Sequence, residues 1–271
     1  MPAPQISSPG ASSPASALPY VLQVSGVSKT FGGLKAVQSV SFNVAEKEIH
    51  SVIGPNGAGK TTLFNCLSGI YVPDTGSVIF AGKDITGKQP HQVCGAGLAR
   101  TFQNIRLFGE MSALENVMAG QSLHRSFSPF GLLFHTPGYQ REEKESRETA
   151  HELLKTVGLS HLANTWARNL AYGLQRRLEI ARALATRPKL LLLDEPAAGM
   201  NPAETDNMIE LIGHLRDRGL AIILIEHHMK LVMQISDHIM VLDRGAKLSD
   251  GTPEEVRNDP KVIAAYLGRE A

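Results

Sequence analysis

The chain has 271 residues, 42% of them apolar and 20% charged, with a formal net charge of +1. That length can bury a large core as one large domain or two small ones, and the near-neutral balance gives no argument from bulk charge for a nucleic-acid partner. Two cysteines, Cys66 and Cys94, exclude a disulfide framework or a cysteine metal cluster and point to a reducing compartment, and no run of 18 apolar residues is present to span a bilayer.

Residues 1–19 contain five prolines and five serines and no Lys or Arg. Without the basic and apolar regions of a signal peptide, they are expected to form a disordered tail. Structured sequence is expected from about Val21: residues 21–24 alternate like a strand, and residues 37–44 supply another. Phe31 falls between them on an expected loop, 23 positions ahead of Gly54. An aromatic there either stacks on an adenine ring or is an ordinary core phenylalanine.

Residues 49–53, Ile-His-Ser-Val-Ile, read as a short buried strand, and the sequence from Thr62 reads as the start of a helix. Between them stands Gly54-Pro55-Asn56-Gly57-Ala58-Gly59-Lys60-Thr61, which fits the P-loop spacing G-x-x-x-x-G-K-[ST]. A glycine-rich turn of this kind lets consecutive N–H groups converge on a phosphate, and the helix N-terminus adds its positive dipole end. Lys60 then supplies a point charge to the β- and γ-phosphates, and Thr61 a hydroxyl for Mg²⁺.

Farther along, residues 73–76 read as a turn, 77–80 as a strand, and 98–102 as another strand ending at Gln103. Residues 104–170 carry helical periodicity with few strand signals, interrupted by an irregular stretch at 126–139. The mixed charges at 141–147 suit the solvated face of a helix. This section reads as a helical subdomain inserted between two parts of an α/β core. Residues 173–185 form an expected helix, and Leu190 to Leu193 are apolar on both faces, like a central parallel strand. Asn201-Pro202-Ala203-Glu204 is a helix start, with closure at Gly219. Strands follow at 220–225 and 239–242. Thr252-Pro253-Glu254-Glu255 has capping-box spacing, and a last helix runs from Asp259-Pro260 to Gly268.

The leucine strand delivers Asp194-Glu195-Pro196. Asp194 beside a P-loop suits Mg²⁺, directly or through water, and Glu195 one residue on is placed to orient and polarise an attacking water as general base.

The P-loop, Gln103, Leu170-Ala171-Tyr172-Gly173-Leu174, Asp194-Glu195 and His227, in this order and spacing, resemble an ATP-binding cassette (ABC) ATPase across essentially all of residues 21–268. The resemblance implies a P-loop NTPase fold with a RecA-like α/β core, an antiparallel β subdomain and the inserted α-helical subdomain at about 104–170. It implies ATP and Mg²⁺ as ligands. Residues Gly54, Pro55, Asn56, Gly57, Ala58, Gly59, Lys60, Thr61 and Thr62 would hold the nucleotide, with Phe31 a candidate for the base. Thr61, Gln103 and Asp194 would serve the metal, and Glu195, His227 and Gln103 the hydrolysis. Ala171 and Gly173 belong to the signature segment, usually Leu-Ser-Gly-Gly-Gln, which closes over ATP held by a second subunit. Here Ala171 stands for the Ser and Leu174 for the Gln. His228 competes with His227 for the switch role, and the spacing from Ile225 favours His227. Asn201 either ends the loop that crosses the dimer interface or is a plain N-cap.

Leu170-Ala171-Tyr172-Gly173, Arg176-Arg177-Leu178-Glu179-Ile180-Ala181-Arg182, Asp194-Glu195-Pro196-Ala197-Ala198-Gly199-Met200-Asn201-Pro202, Ile225-Glu226-His227-His228-Met229-Lys230-Leu231-Val232 and Ile263-Ala264-Ala265-Tyr266-Leu267-Gly268 narrow the resemblance. They look like the ATP-binding subunit of bacterial high-affinity branched-chain amino-acid importers, apart from His228 and Leu174, which replace that subgroup's usual Asp and Gln. The partners this implies are a second ATP-binding subunit, identical or paralogous, two transmembrane permeases and, indirectly, a periplasmic solute-binding protein. The location the resemblance implies is the cytoplasmic face of the inner membrane. A related importer for urea or other amides, a lipid-extracting cassette and a soluble non-transport ABC ATPase are the alternatives. A GTPase is disfavoured because no Asn-Lys-x-Asp motif occurs.

Overall fold

A computed structural model describes residues 20–124 and 136–267. The expected tail at 1–19, most of the irregular stretch at 126–139 and Gly268 lie outside the described residues.

Alternating apolar residues pair β1 (Tyr20–Phe31) with β2 (Leu34–Ala45) as an antiparallel hairpin. Its turn is Gly32-Gly33, both at positive φ, the backbone that a tight hairpin turn requires. β4 (Thr75–Phe80) and β5 (Lys83–Asp84) complete a four-stranded sheet in the order β2-β1-β4-β5. Both hairpin strands extend well beyond the alternating stretches expected from sequence. Phe31 therefore ends a strand, paired with Leu34, and does not lie on a loop.

The second sheet has the order β10-β9-β3-β8-β7-β6. It comprises β3 (Ile49–Ile53), β6 (Leu98–Arg100), β7 (Leu190–Asp194), β8 (Ala221–Ile225), β9 (His238–Asp243) and an antiparallel edge strand, β10 (Ala246–Gly251). Every residue of β3, β7 and β8 is buried, as parallel strands covered on both faces must be. Leu190 and Leu192 pack toward the antiparallel sheet and α1 (Lys60–Leu67). Leu191 and Leu193 pack toward the helices of the other layer. Each such leucine contributes about 1.5–3 kcal/mol on burial.

Between β6 and β7 the regular elements of the described chain are helices, with one isolated antiparallel bridge between Ser112 and Trp166. The helices include α3 (Ala113–Gly120), α4 (Pro137–Thr156) and α5 (Tyr172–Leu184), with two short 3-10 turns ahead of α5. A further helix, α2 (Pro90–Ala96), precedes β6. α6 (Pro202–Asp217) follows β7 and starts with the expected cap: Asn201 accepts from the Glu204 amide, and Glu204 accepts from the Asn201 amide. α7 (Met229–Ile235) follows β8, and α8 (Pro253–Asn258) and α9 (Pro260–Leu267) follow β10. The Thr252/Glu255 box opens α8 as expected. The short elements α2, α7 and β10 carry too few periodic positions to announce themselves in sequence.

β6 stops two residues earlier than the expected 98–102 strand. Thr101 still donates to Leu192, but the Phe102 amide turns away and donates to the Glu179 carboxylate on α5. A side chain captures that backbone in place of the neighbouring strand.

Candidate active site

The P-loop leaves β3 at Gly54 and enters α1 at Lys60. Gly54, Gly57 and Gly59 all have positive φ. A Cβ on Gly54 would lie 2.1 Å from the Leu242 carbonyl oxygen, and one on Gly59 2.2 Å from that of Ala36. Only glycine permits β9 and β2 to back the loop this closely. The Lys60 ammonium donates to the carbonyls of Gly54 at 2.6 Å and Pro55 at 3.0 Å. Burial pushes this lysine below its ordinary value, while the Glu195 and Asp194 carboxylates pull the other way.

The loop forms one wall of a cleft of about 780 Å³ that also exposes Thr61, Thr62, Gln103, Glu195 and His227. Residues from four separate stretches of chain meet here because the parallel strands present their C-terminal ends together. Phe31 lines the same cleft, 41% exposed, edge-on to Tyr71 with ring centroids 5.2 Å apart. It is not a core residue.

Glu195 sits at the centre of the polar contacts. Its Oε1 is 3.0 Å from His227 Nε2, and its Oε2 accepts from Gln103 Nε2 at 3.2 Å. The Glu195 backbone has φ 50, a conformation that costs a non-glycine residue about 1–3 kcal/mol and that clusters at functional positions. It is held there by its amide donating to Ile225 and by Glu226. The buried Glu226 carboxylate accepts from the Ala197, His227 and His228 amides and so fixes the loops after β7 and β8 relative to each other. His228 instead opens α7 and is not among the residues that line the cleft, whereas His227 is.

Asp194 lies below this surface, 2% exposed. Arg100 Nη2 donates to its Oδ2 at 2.8 Å, while Nη1 donates to Asn65 and Ser68. The guanidinium carbon lies 5.5 Å from the centroid of the Phe64 ring and 5.2 Å from that of Phe102. Neither Arg100 nor Glu226 was anticipated from sequence. The only signal was a charged residue placed within or directly after an apolar strand.

The donors fit the expected ligands. Backbone amides and Lys60 suit a polyphosphate. Thr61 and Gln103 offer oxygen ligands of the kind Mg²⁺ takes at the cleft, while Asp194 lies beneath them and is paired with Arg100, so that it would act through water. Among the described residues no group of three or more His, Cys, Asp or Glu could hold a metal. A Mg²⁺ ion bound here would therefore draw much of its shell from phosphate and water, as that ion usually does.

Ala171 and Gly173 are not brought to this cleft. They start α5, where Ala171 is an N-cap with no side-chain hydrogen bond and Gly173 is backed by the Glu204 carboxylate. Leu174, in the position where a glutamine is usual, packs against the apolar core of the helical layer.

A family model described as ABC transporter matches residues 37–198, and one described as branched-chain amino acid ATP-binding cassette transporter matches 246–271. The chain is similar to the high-affinity branched-chain amino acid transport ATP-binding protein BraF of Pseudomonas aeruginosa, 53% identical over 92% of this chain and 98% of that protein. It is also similar to LivG of Escherichia coli K12, a protein of the same description, 49% identical over the same shares. Among solved structures it resembles a nucleotide-free ATP-binding cassette from an ABC transporter, at TM-score 0.80 and 35% identity over 92% of this chain and all of that one. The ADP conformation of MJ1267, an ATP-binding cassette of an ABC transporter, matches at the same TM-score and identity over 92% and 99%.

Proposed function

The chain belongs to the ABC transporter family, and from that membership we propose that it is the ATP-hydrolysing subunit of a branched-chain amino-acid importer. The observation that carries the chemistry is the Glu195 carboxylate held between His227 and Gln103 on the cleft that the P-loop walls. The P-loop amides and Lys60 grip the β- and γ-phosphates of ATP, and Phe31 stacks on the adenine. Thr61 and Gln103 at the cleft, with Asp194 beneath it, would hold Mg²⁺, which when bound would neutralise negative charge on the triphosphate.

Glu195 accepts the proton of a water whose oxygen bonds to the γ-phosphorus as the bond to the bridging oxygen breaks, leaving ADP and phosphate. His227 orients Glu195 and the γ-phosphate. Asn201 caps α6 within the loop expected to cross between subunits.

A second ATP-binding subunit, identical or paralogous, presents Ala171 and Gly173 at the N-terminus of α5 to this nucleotide. The helical section at 104–170 passes the resulting motion to two permeases at the cytoplasmic face of the membrane, and a periplasmic binding protein delivers the solute. No helix among the described residues is long and apolar enough to cross a membrane.

The test is reconstitution with the permeases that co-purify from membranes. ATP-dependent uptake of labelled leucine, lost in Lys60→Ala, supports the reading. Robust ATPase coupled to a different solute class, or none, overturns the importer assignment.

A further inference from the structure

Arg176 is an arginine in an unusual place. It lies on the second turn of α5, 3% exposed, and all five of its N–H donors have acceptors. Nη1 donates to the Phe102 carbonyl at 2.6 Å and to Glu179 Oε2 at 3.3 Å. Nη2 donates to the Gln103 carbonyl and, at 3.0 Å, to the Tyr172 hydroxyl, which also accepts from Nε at 3.2 Å. Glu179 closes the ring, since its Oε1 accepts from the Phe102 amide at 3.3 Å. The Phe102–Gln103 backbone is thus held on both its N–H and its carbonyls by one helix.

A buried cation with this pattern is costly unless fully partnered, and a leucine or methionine would fill the space at lower cost. What the arginine adds is position. Gln103 reaches Glu195 from this backbone, and Tyr172 lies within the signature segment. Tyr172 also packs beside Gly199, where a Cβ would lie 3.6 Å from Cε1 of the tyrosine ring. The Tyr172 hydroxyl accounts for a large residue at a position where the common signature has glycine.

We propose that Tyr172, Arg176 and Glu179 are positioning residues that fasten the Gln103 segment to α5, so that the approach of Gln103 to Glu195 and the presentation of Ala171 to Gly173 to a second subunit change together. The proposal rests on the reading of Glu195 as the hydrolytic base. It predicts that loss of the clamp slows turnover without weakening the P-loop's hold on nucleotide.

The experiment compares Arg176→Lys, which keeps the charge and loses the fork, with Tyr172→Phe, which removes from a half-exposed side chain only the hydroxyl that accepts two of the guanidinium's hydrogen bonds. Both are made in the full chain assembled with its permeases, and kcat, KM and fluorescent-ATP affinity are measured. Expected are a fall in kcat of about tenfold for Arg176→Lys and a smaller fall for Tyr172→Phe, with nucleotide affinity within about twofold of the parent. Combining Arg176→Lys with Gln103→Ala should cost less than the product of the single losses. Parental kcat in Tyr172→Phe, or strictly multiplicative losses in the double variant, would overturn the clamp. Unaltered turnover in Lys60→Ala or Glu195→Gln, measured alongside, would instead overturn the hydrolytic reading beneath it.

Discussion

Arg100 and Asp194 form an ion pair at 2.8 Å with both side chains almost wholly buried. The carboxylate that ends β7 therefore has a built-in cationic partner, itself braced by Asn65 and Ser68 on and beside the P-loop helix. Replacing Arg100 by methionine leaves a buried carboxylate uncompensated, and the expected loss of stability is roughly 3–5 kcal/mol. Urea unfolding checks this, with an unchanged slope and a lower midpoint. A midpoint equal to that of the parent would show that Asp194 does not depend on the pair.

Glu195→Gln keeps the shape of the side chain and removes its basicity. The expected outcome is retained ATP binding, accumulation of a closed ATP-bound dimer and a fall in hydrolysis of about 10²–10⁴-fold. Gel filtration with ATP and phosphate release together read both effects. Turnover like the parent's would assign the base elsewhere.

Gly59→Ala should both strain and crowd the loop. Its φ of 100 is adopted rarely by residues with a Cβ, and the added atom would meet the Ala36 carbonyl oxygen at 2.2 Å. Backbone strain alone costs about 1–3 kcal/mol. A lower melting temperature together with weakened nucleotide affinity is expected, whereas Gly57→Ala meets no atom within 4 Å and should lose less stability.

Burial pushes the Cys66 thiol up to about 11 from an ordinary 9.0. Because the folded form holds its proton more tightly, this group's contribution to stability is complete below pH 9 and is lost as pH rises toward 11. Native protein at pH 8 should react with Ellman's reagent at Cys66 far more slowly than urea-unfolded protein. Rapid native labelling of Cys66, mapped by mass spectrometry, would contradict the burial.

The sequence by itself determined the parts of this protein that are written in contiguous residues. The P-loop follows from glycines and a lysine at fixed offsets, since the loop's shape is set by local backbone freedom. The caps at Asn201 and Thr252 follow from bonds spanning three residues. Asp194-Glu195 could be placed at a strand end because four leucines in a row leave a parallel strand few alternatives. Only the tertiary structure decided what these residues meet. Gln103, Glu195 and His227 converge because the order β6-β7-β8-β3 sets strands distant in sequence side by side with their C-terminal ends together. The partners of Asp194, of the loop at Glu195 and of the Phe102 backbone are Arg100, Glu226 and Arg176, which lie 94, 29 and 74 residues away along the chain. An ion pair or a captured carbonyl depends on a few ångströms of approach between elements, and that approach is fixed by how the layers pack, which no local pattern encodes.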